Sequence, residues 1–199
     1  MYYPDNDPIR FEIMDNGVLL TQKEDPWLHI RKSMQLTFLG GAEVEVVHRI
    51  VNTGKEALHC AMWAVSAMAP GGTQTIPLKT YDGGSMPRHW ISTWFYTDLG
   101  DPRASYSREK IVLTHLPMEE RYKIGIDRPE GPVCYENNGV VFEKVFPAPR
   151  EGAYPDKDVS YETFMCRHMV EMESLSPLMC IPPEESREHT EIWHLRKSV

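Results

Sequence analysis

Apolar and polar residues alternate along short segments of this chain, and turns rich in glycine and proline separate those segments. Segment 42–51 is an example: Val44, Val46 and Ile50 share one face, because successive side chains of a strand point to opposite sides. No segment repeats its apolar residues at helical spacing over three or more turns. Twelve or more short strands at this spacing predict an all-β sandwich, formed as a single domain over residues 1–199.

Several elements can be placed individually. The tripeptides D-N-G at 15–17 and N-N-G at 137–139 are typical of hairpin turns. Segment 58–68 is mostly apolar, which predicts one strand buried on both faces. The region 164–195 is predicted to form two strands joined by a proline-rich turn.

Composition excludes two classes of partner. The net charge is −8 and the Lys and Arg residues are scattered, whereas nucleic-acid binding needs them clustered. The longest apolar stretch, 57–70, contains His59 and is too short to span a bilayer. The N-terminus lacks the basic start and apolar core of a signal peptide, which favours the cytoplasm but leaves the compartment open.

Cysteine and histidine spacing predicts neither a metal site nor a cofactor. There is no C-x-x-C pair, H-x-x-x-H pair, phosphate-binding glycine loop or Ser-His-Asp order. We expect the cysteines to be buried, reduced thiols. They are Cys60, Cys134, Cys166 and Cys180.

Two glutamates near the C-terminus are the first candidates for chemistry. Glu171 and Glu173 are two positions apart in a predicted strand, so both carboxylates leave the same face of the sheet. Such a pair can place a general base against a sugar hydroxyl. The alternative is that both carboxylates simply face solvent.

The motif around these glutamates resembles the C-terminal end of galactose mutarotase-like proteins. It is E-x-E-S-L-S-P at 171–177, followed by P-E-E-S at 183–186 and E-x-W-x-L at 191–195. Matching segments precede it in order: V-H-R-I-V-N-T-G at 47–54, M-W-A-V-S-A-M-A-P-G-G at 62–72, W-F-Y-T-D-L-G-D-P-R at 94–103, Y-K-I-G at 122–125, F-E-K-V-F at 142–146 and Y-P-D at 154–156. Along nearly its whole length the chain therefore resembles an uncharacterised bacterial family of this superfamily, alongside aldose 1-epimerases.

The resemblance implies a β-supersandwich: two large, mostly antiparallel sheets with a sugar-sized cleft across one concave face. It also implies that residues 1–199 lack the N-terminal third that relatives carry. Relatives have glycine in the turn where this chain has Glu184. Either that turn needs no positive φ here, or it carries strain.

The resemblance also suggests a reaction. In aldose 1-epimerases a glutamate removes the anomeric proton while a histidine protonates the ring oxygen. Glu173 fits the glutamate, although Leu175 replaces a glutamine of the family motif. Trp63 stands where the histidine is expected. His59 shares its predicted strand face but lies about 13 Å away along the strand, so classical mutarotation is weakened.

Eight further residues are candidates for contacts with a sugar. They are Glu171, Trp63, Trp94, Arg103, Lys123, Lys144, Asp156 and Glu162. Lys144 interrupts an apolar strand, so its ammonium needs a partner or water on one face. For the charged residues the alternative is a salt bridge that holds a loop to the sheet, and Asp101-Pro102-Arg103 fits a turn with an ion pair equally well.

Several functions compete. We expect a carbohydrate-binding protein whose ligand is a small sugar or an oligosaccharide. If the cleft is catalytic, the protein is an aldose 1-epimerase-type isomerase with Glu173 as base. A polysaccharide lyase using Tyr154 and Lys144 is another alternative. The last is a structural or interaction domain that a partner chain completes, whose exposed sheet edges would favour a homodimer.

Overall fold

Short strands account for nearly all the regular structure of the chain. The computed structural model describes residues 7–78 and 89–198. The elements are β1 (Arg10–Met14), β2 (Gly17–Thr21), β3 (Ile30–Gly40), β4 (Glu43–Asn52), β5 (Leu58–Cys60), β6 (Trp63–Met68), β7 (Thr73–Pro77), β8 (Ile91–Thr93), β9 (Ala104–Tyr106), β10 (Lys110–Thr114), β11 (Tyr122–Ile126), β12 (Val133–Asn137), β13 (Val140–Val145), α1 (Pro155–Asp158), β14 (Tyr161–Cys166), β15 (Met169–Leu175), β16 (Met179–Ile181) and β17 (Ser186–Lys197). The predicted all-β class, with large antiparallel sheets, is confirmed.

The strands are distributed over two compact units, and β17 contributes residues to both. The first unit contains residues up to Cys60 and Met179–Ile192. Its sheet has the order β1-β2-β3-β4 followed by β17, and β5 pairs with β16 in a separate two-stranded sheet. The predicted D-N-G hairpin is present, because Met14 pairs with Gly17 across the turn.

The second unit, Ala61–Leu178 with the chain from Trp193 onward, is a sandwich of two antiparallel sheets. One has the order β17-β13-β12-β7-β10-β9, and the other β6-β15-β14-β11-β8. A single apolar core takes side chains from both sheets: Ile76, Ile111, Leu113, Val133 and Tyr135 from the first, and Tyr122, Ile124, Ile126, Tyr161, Met165, Val170 and Met172 from the second. The N-N-G hairpin joins β12 to β13, with Asn138 at φ 50° and Gly139 at φ 75°, as a type I′ turn requires.

The prediction of one continuous strand over 58–68 is wrong. The chain leaves β5 at Cys60 and begins β6 at Trp63, in a different sheet. The break is fixed by Met62, whose N–H donates to Ser176 Oγ at 2.8 Å. Nor is β6 buried on both faces, since it is the edge strand of its sheet and its residues alternate in exposure. His59 and Trp63 therefore do not share a strand face.

The C-terminal region also contains more elements than predicted. Instead of two strands it forms β14, β15, β16 and β17. The missed feature is a tight hairpin at Arg167 and His168, which has no glycine or proline to mark it. Within the first unit, Glu184 adopts φ 64°, so the turn does use the left-handed region and a side chain there is strained.

The cysteine prediction is half correct. All four cysteines are free thiols, but none is fully buried: Cys180 is exposed and the others are partly exposed. In the described part of the chain, no helix is long and apolar enough to cross a membrane.

Candidate functional site

The sheet β6-β15-β14-β11-β8 carries a row of polar residues on the face opposite the core. Residues directly opposite on neighbouring strands point to the same side. Glu162 lies opposite Glu173 on one side and Gly125 on the other. Their neighbours Thr163 and Met172 point into the core instead. Strand alternation therefore places the two carboxylates side by side on the outer face.

One ammonium group binds both carboxylates. Lys123 is two residues from Gly125, so it lies diagonally across from Glu162 on the same face. Its Nζ is 2.7 Å from Glu162 Oε2 and 2.8 Å from Glu173 Oε2. The structure thus brings together three residues that are distant in sequence and that the sequence analysis had singled out separately.

Two tryptophans complete this cluster. The Lys123 ammonium lies 5.2 Å from the centre of the Trp63 ring and 4.8 Å from that of Trp94, within the range of cation–π attraction. The Trp63 indole N–H also donates to Glu173 Oε2 at 2.5 Å. The Lys123 ammonium therefore has two carboxylates and two aromatic faces around it. We call Trp63, Trp94, Lys123, Glu162 and Glu173 the indole–lysine site.

The residues of the indole–lysine site differ sharply in their exposure to solvent. Glu173 is fully buried and Glu162 is 2% exposed, whereas Trp63 is 43% exposed. The second oxygen of each carboxylate, Oε1, is buried without a hydrogen-bond partner among the described residues. Unsatisfied buried acceptors are uncommon in folded proteins and need an explanation such as function or an unseen water.

The surroundings change the proton affinity of these groups. Burial is the main cause that raises the pKa of Glu162 to about 8, and it outweighs the lowering effect of Lys123. Burial opposes the charge on Lys123, but its hydrogen bonds to Glu162 and Glu173 together raise its pKa. Burial, then the charge of Glu173, raises the pKa of Glu171. At neutral pH Glu162 therefore carries a proton while Lys123 is charged.

The short segment α1 lies next to Glu162. Ser92 Oγ donates to the carbonyl of Asp156 at 2.8 Å, and Ser92 is itself opposite Gly125 in the sheet. The Asp156 side chain also contributes to the raised pKa of Glu162, because it favours the protonated form of that carboxyl. Gly125 makes this packing possible, because a Cβ there would be 2.8 Å from Val159 Cγ2. Asp156 is thus the fifth predicted charged residue that the structure places at this face, after Lys123, Glu162, Glu171 and Glu173.

Two predicted residues are not part of this group. The Arg103 guanidinium is buried and paired with Asp101, with Nη2 2.6 Å from Oδ2, which matches the alternative of a turn with an ion pair. That ion pair is the main cause that lowers the pKa of Asp101. Lys144 lies opposite the buried Val133 and points between the sheets, where its Nζ donates to the carbonyls of Ala64 and Met172 at 2.9 Å.

Some residues near the site were not identified from sequence. Thr97 Oγ1 donates to the Lys123 carbonyl at 2.5 Å, and Ser92 and Gly125 shape the floor beside Glu162. The alternation W-x-S-x-W at 90–94 is a sequence signal that could have drawn attention to Ser92. Among residues 7–78 and 89–198, no group of three or more His, Cys, Asp or Glu side chains is placed to hold a metal ion.

Comparison with known proteins identifies the fold. No family model and no curated protein matches the sequence. Among solved structures, a galactose mutarotase-like protein from Lactobacillus casei ATCC 334 superposes with a TM-score of 0.60 at 8% identity, covering 94% of this chain and 73% of that one. This chain has the galactose mutarotase-like fold.

Two further solved structures superpose on this chain. The Slr1438 protein from Synechocystis sp. PCC 6803 has a TM-score of 0.61 at 12% identity, and a candidate aldose 1-epimerase from Escherichia coli K12 has 0.60 at 13%. Each comparison covers 96% of this chain, but only 66% and 69% of the respective relative. The chain thus spans less than two thirds of the length of Slr1438. The superpositions establish the galactose mutarotase-like fold. At sequence identities this low, they establish no particular activity.

Proposed function

We propose that this chain is a carbohydrate-binding protein and that its ligand binds at the indole–lysine site. The observation that carries the proposal is the position of the Lys123 ammonium, 5.2 and 4.8 Å from two indole rings and bound to two buried carboxylates. The fold, which it shares with galactose mutarotase-like proteins, supports the same conclusion.

The chemistry of these side chains suits a neutral sugar. An indole ring offers a flat apolar face to the C–H face of a pyranose, and Trp63 is 43% exposed. The Lys123 ammonium has three N–H donors and can share them between sugar hydroxyls and the carboxylates. With Glu162 protonated, the charges of Lys123 and Glu173 cancel, so the site has little preference for a charged ligand.

We propose a second, catalytic role for the same residues, as an aldose 1-epimerase-type isomerase. Glu173 takes the proton from the anomeric hydroxyl, a C–O double bond forms at C1, and the bond between C1 and the ring oxygen breaks. Glu162, protonated at neutral pH, gives its proton to that oxygen. Closure from the other face reverses these transfers and returns both protons. Glu162 is thus the proton donor of the reaction. Trp63, which stands in the place of the epimerase histidine, cannot donate a proton in this way.

Burial of Glu173 determines what catalysis would require. Its carboxylate is covered by Lys123 and Trp63, so the sugar must take over the hydrogen bonds of the Lys123 ammonium before its hydroxyl reaches Glu173. The Oε1 atom of Glu173, which has no hydrogen-bond partner among the described residues, is the acceptor that such a ligand would satisfy.

Ligand-observed NMR tests both proposals in the same samples. The probes are aldoses, uronic acids and short oligosaccharides, with saturation transfer reporting binding and exchange between α and β anomer signals reporting catalysis. We expect Trp94→Ala to weaken binding, and Trp27→Ala, at a 75% exposed tryptophan in the first unit, to leave it unchanged.

The outcomes separate the functions. Anomer exchange that is lost in folded Glu173→Gln and Glu162→Gln variants would establish the isomerase. Binding without accelerated exchange would leave a sugar-binding protein and refute the catalytic role. If no probe binds, the proposal fails, and the alternative of a structural domain completed by a partner chain takes its place.

A further inference from the structure

An open depression lies beside the indole–lysine site. Its volume is about 530 Å³, and it is lined by Trp90, Ile91, Ser92, Thr93 and Lys157. These residues belong to β8 with its preceding residue, and to α1. Because β8 is the edge strand next to β11, the depression adjoins the strand that carries Lys123.

The tryptophan spacing places the depression next to the indole–lysine site. Trp90, Ser92 and Trp94 alternate along the chain, and Ser92 is on the site face because it lies opposite Gly125. Trp90 is on that face too: its indole N–H donates to the Asp158 carbonyl at 3.3 Å, next to the Ser92–Asp156 contact. At the rise of an extended chain, positions 90 and 94 are about 13 Å apart, which is longer than one pyranose ring.

The wall of the depression has an unusual backbone. Asp156, Lys157 and Asp158 have φ values of 50°, 73° and 69°, and three successive non-glycine residues in the left-handed region are rare. The turn is held by the Asp158 carboxylate, which accepts a hydrogen bond from the Tyr154 N–H at 2.9 Å. Strained backbone of this kind persists only where its surroundings impose it, and it is concentrated at binding sites. In this chain the strained turn directs Lys157 towards the depression.

The charges around Lys157 indicate a neutral ligand. Lys157 has no ion-pair partner among the residues that the structure describes, but Asp156 and Asp158 flank it along the chain. Asp158 Oδ2 lies 3.5 Å from Arg128 Nη2, so its negative charge is balanced by Arg128. The negative charge of Asp156 then balances the positive charge of Lys157. The hydroxyls of Ser92 and Thr93 and the Lys157 ammonium, which line the depression, provide donors and acceptors for sugar hydroxyls next to the 43% exposed Trp90.

We propose that this depression is a second sugar subsite, so that the chain recognises an oligosaccharide of neutral pyranose units rather than a single monosaccharide. One unit stacks on Trp90 and hydrogen-bonds to Lys157 and Ser92, while the adjoining part of the same ligand occupies the indole–lysine site. This inference rests on the proposed carbohydrate-binding function and extends it along β8.

Titration calorimetry with matched monosaccharides and trisaccharides tests the subsite. The probes are glucose with cellotriose and maltotriose, and galactose with β-1,4-galactotriose, measured on the whole chain. We expect one trisaccharide to bind at least tenfold more tightly than its monosaccharide. Trp90→Ala and Lys157→Ala should each remove most of that advantage and leave monosaccharide affinity unchanged, whereas Trp94→Ala should weaken both. Trp27→Ala is the control for loss of an exposed indole.

Failure of the subsite differs from failure of the proposed function. Equal affinity for monosaccharide and trisaccharide, or an advantage that survives both Trp90→Ala and Lys157→Ala, would overturn the subsite and leave carbohydrate binding intact. A trisaccharide that needs Trp90 but is insensitive to Trp94→Ala would support the depression and refute the indole–lysine site. Absence of binding by every probe would overturn both.

Discussion

Glu162 and Glu173 lie directly opposite each other on neighbouring strands, and the single ammonium of Lys123 hydrogen-bonds to both. Both side chains are almost completely buried, so neither can rely on water in place of the Lys123 ammonium. The stability of the fold should therefore depend on the Lys123 ammonium and, through the raised pKa of Glu162, on pH.

Removing the ammonium should destabilise the fold. Lys123→Met leaves the buried carboxylates without their cation, and breaking a buried ion pair in this way costs about 3–5 kcal/mol. We expect a loss of that order in the free energy of unfolding measured in urea, with partial recovery in Lys123→Met/Glu173→Gln, which also removes the carboxylate that Lys123 pairs with. Lys110→Met, at an exposed strand position, is the control. A loss no larger than the control would contradict the bridging role.

Stability should fall as pH rises. Burial raises the pKa of Glu162 from an ordinary value of 4.5 to about 8 in the folded state, so the folded chain binds this proton more tightly than the unfolded chain. The resulting stabilisation is complete below pH 4.5 and is lost as pH rises through 8, by an amount on the order of 5 kcal/mol. Urea unfolding at pH 5, 6.5 and 8 measures it. The Glu162→Gln variant should lack most of the slope, and equal slopes in both proteins would refute the assignment.

The turn at Glu184 should be stabilised by glycine. Glu184 has φ 64°, a conformation that costs a non-glycine residue about 1–2 kcal/mol, partly offset by the greater freedom of glycine in the unfolded chain. We expect Glu184→Gly to raise the free energy of unfolding by up to about 1 kcal/mol. Glu185→Gly, at the next residue but without positive φ, should lower it. Destabilisation by both would show that the turn is not strained.

Lys144 should affect stability without affecting ligand binding. Its ammonium donates to the carbonyls of Ala64 and Met172 and to Ser66 Oγ, between the sheets. Lys144→Met leaves these buried acceptors short of a donor, at a cost of about 1–3 kcal/mol. The folded variant should bind sugar with the affinity of the wild type, whereas Lys123→Met should not. A selective loss of sugar affinity in Lys144→Met would place Lys144 at the binding site after all.

The two lysines show where prediction from sequence stopped. Each interrupts an apolar strand, and each was a candidate for the cleft. Lys123 is two residues from Gly125, which pairs with Glu162, so Lys123 shares the outer face with that glutamate. Lys144 pairs with the buried Val133, so its side chain points inward. Alternation predicts which residues share a face but not which face is outside, because that depends on the neighbouring sheet.

The break between β5 and β6 was unpredictable for a similar reason. Segment 58–68 is mostly apolar and contains neither glycine nor proline, so nothing local marks a boundary. The strand ends because Met62 bonds to Ser176, a residue more than one hundred positions away. The hairpins at 15–17 and 137–139, by contrast, were predicted correctly because positive φ and short turns have local residue preferences.

By itself, the sequence determined the all-β class, the short alternating strands, the glycine-marked hairpins and the shared face of Glu171 and Glu173, because these follow from local backbone preferences and a two-residue period. The tertiary structure alone decided that Lys123 lies between two indoles and two carboxylates. It also decided that Glu173 is buried and that the Trp90 indole contacts Asp158. These features depend on the pairing of strands distant in the chain, whose register no local pattern encodes.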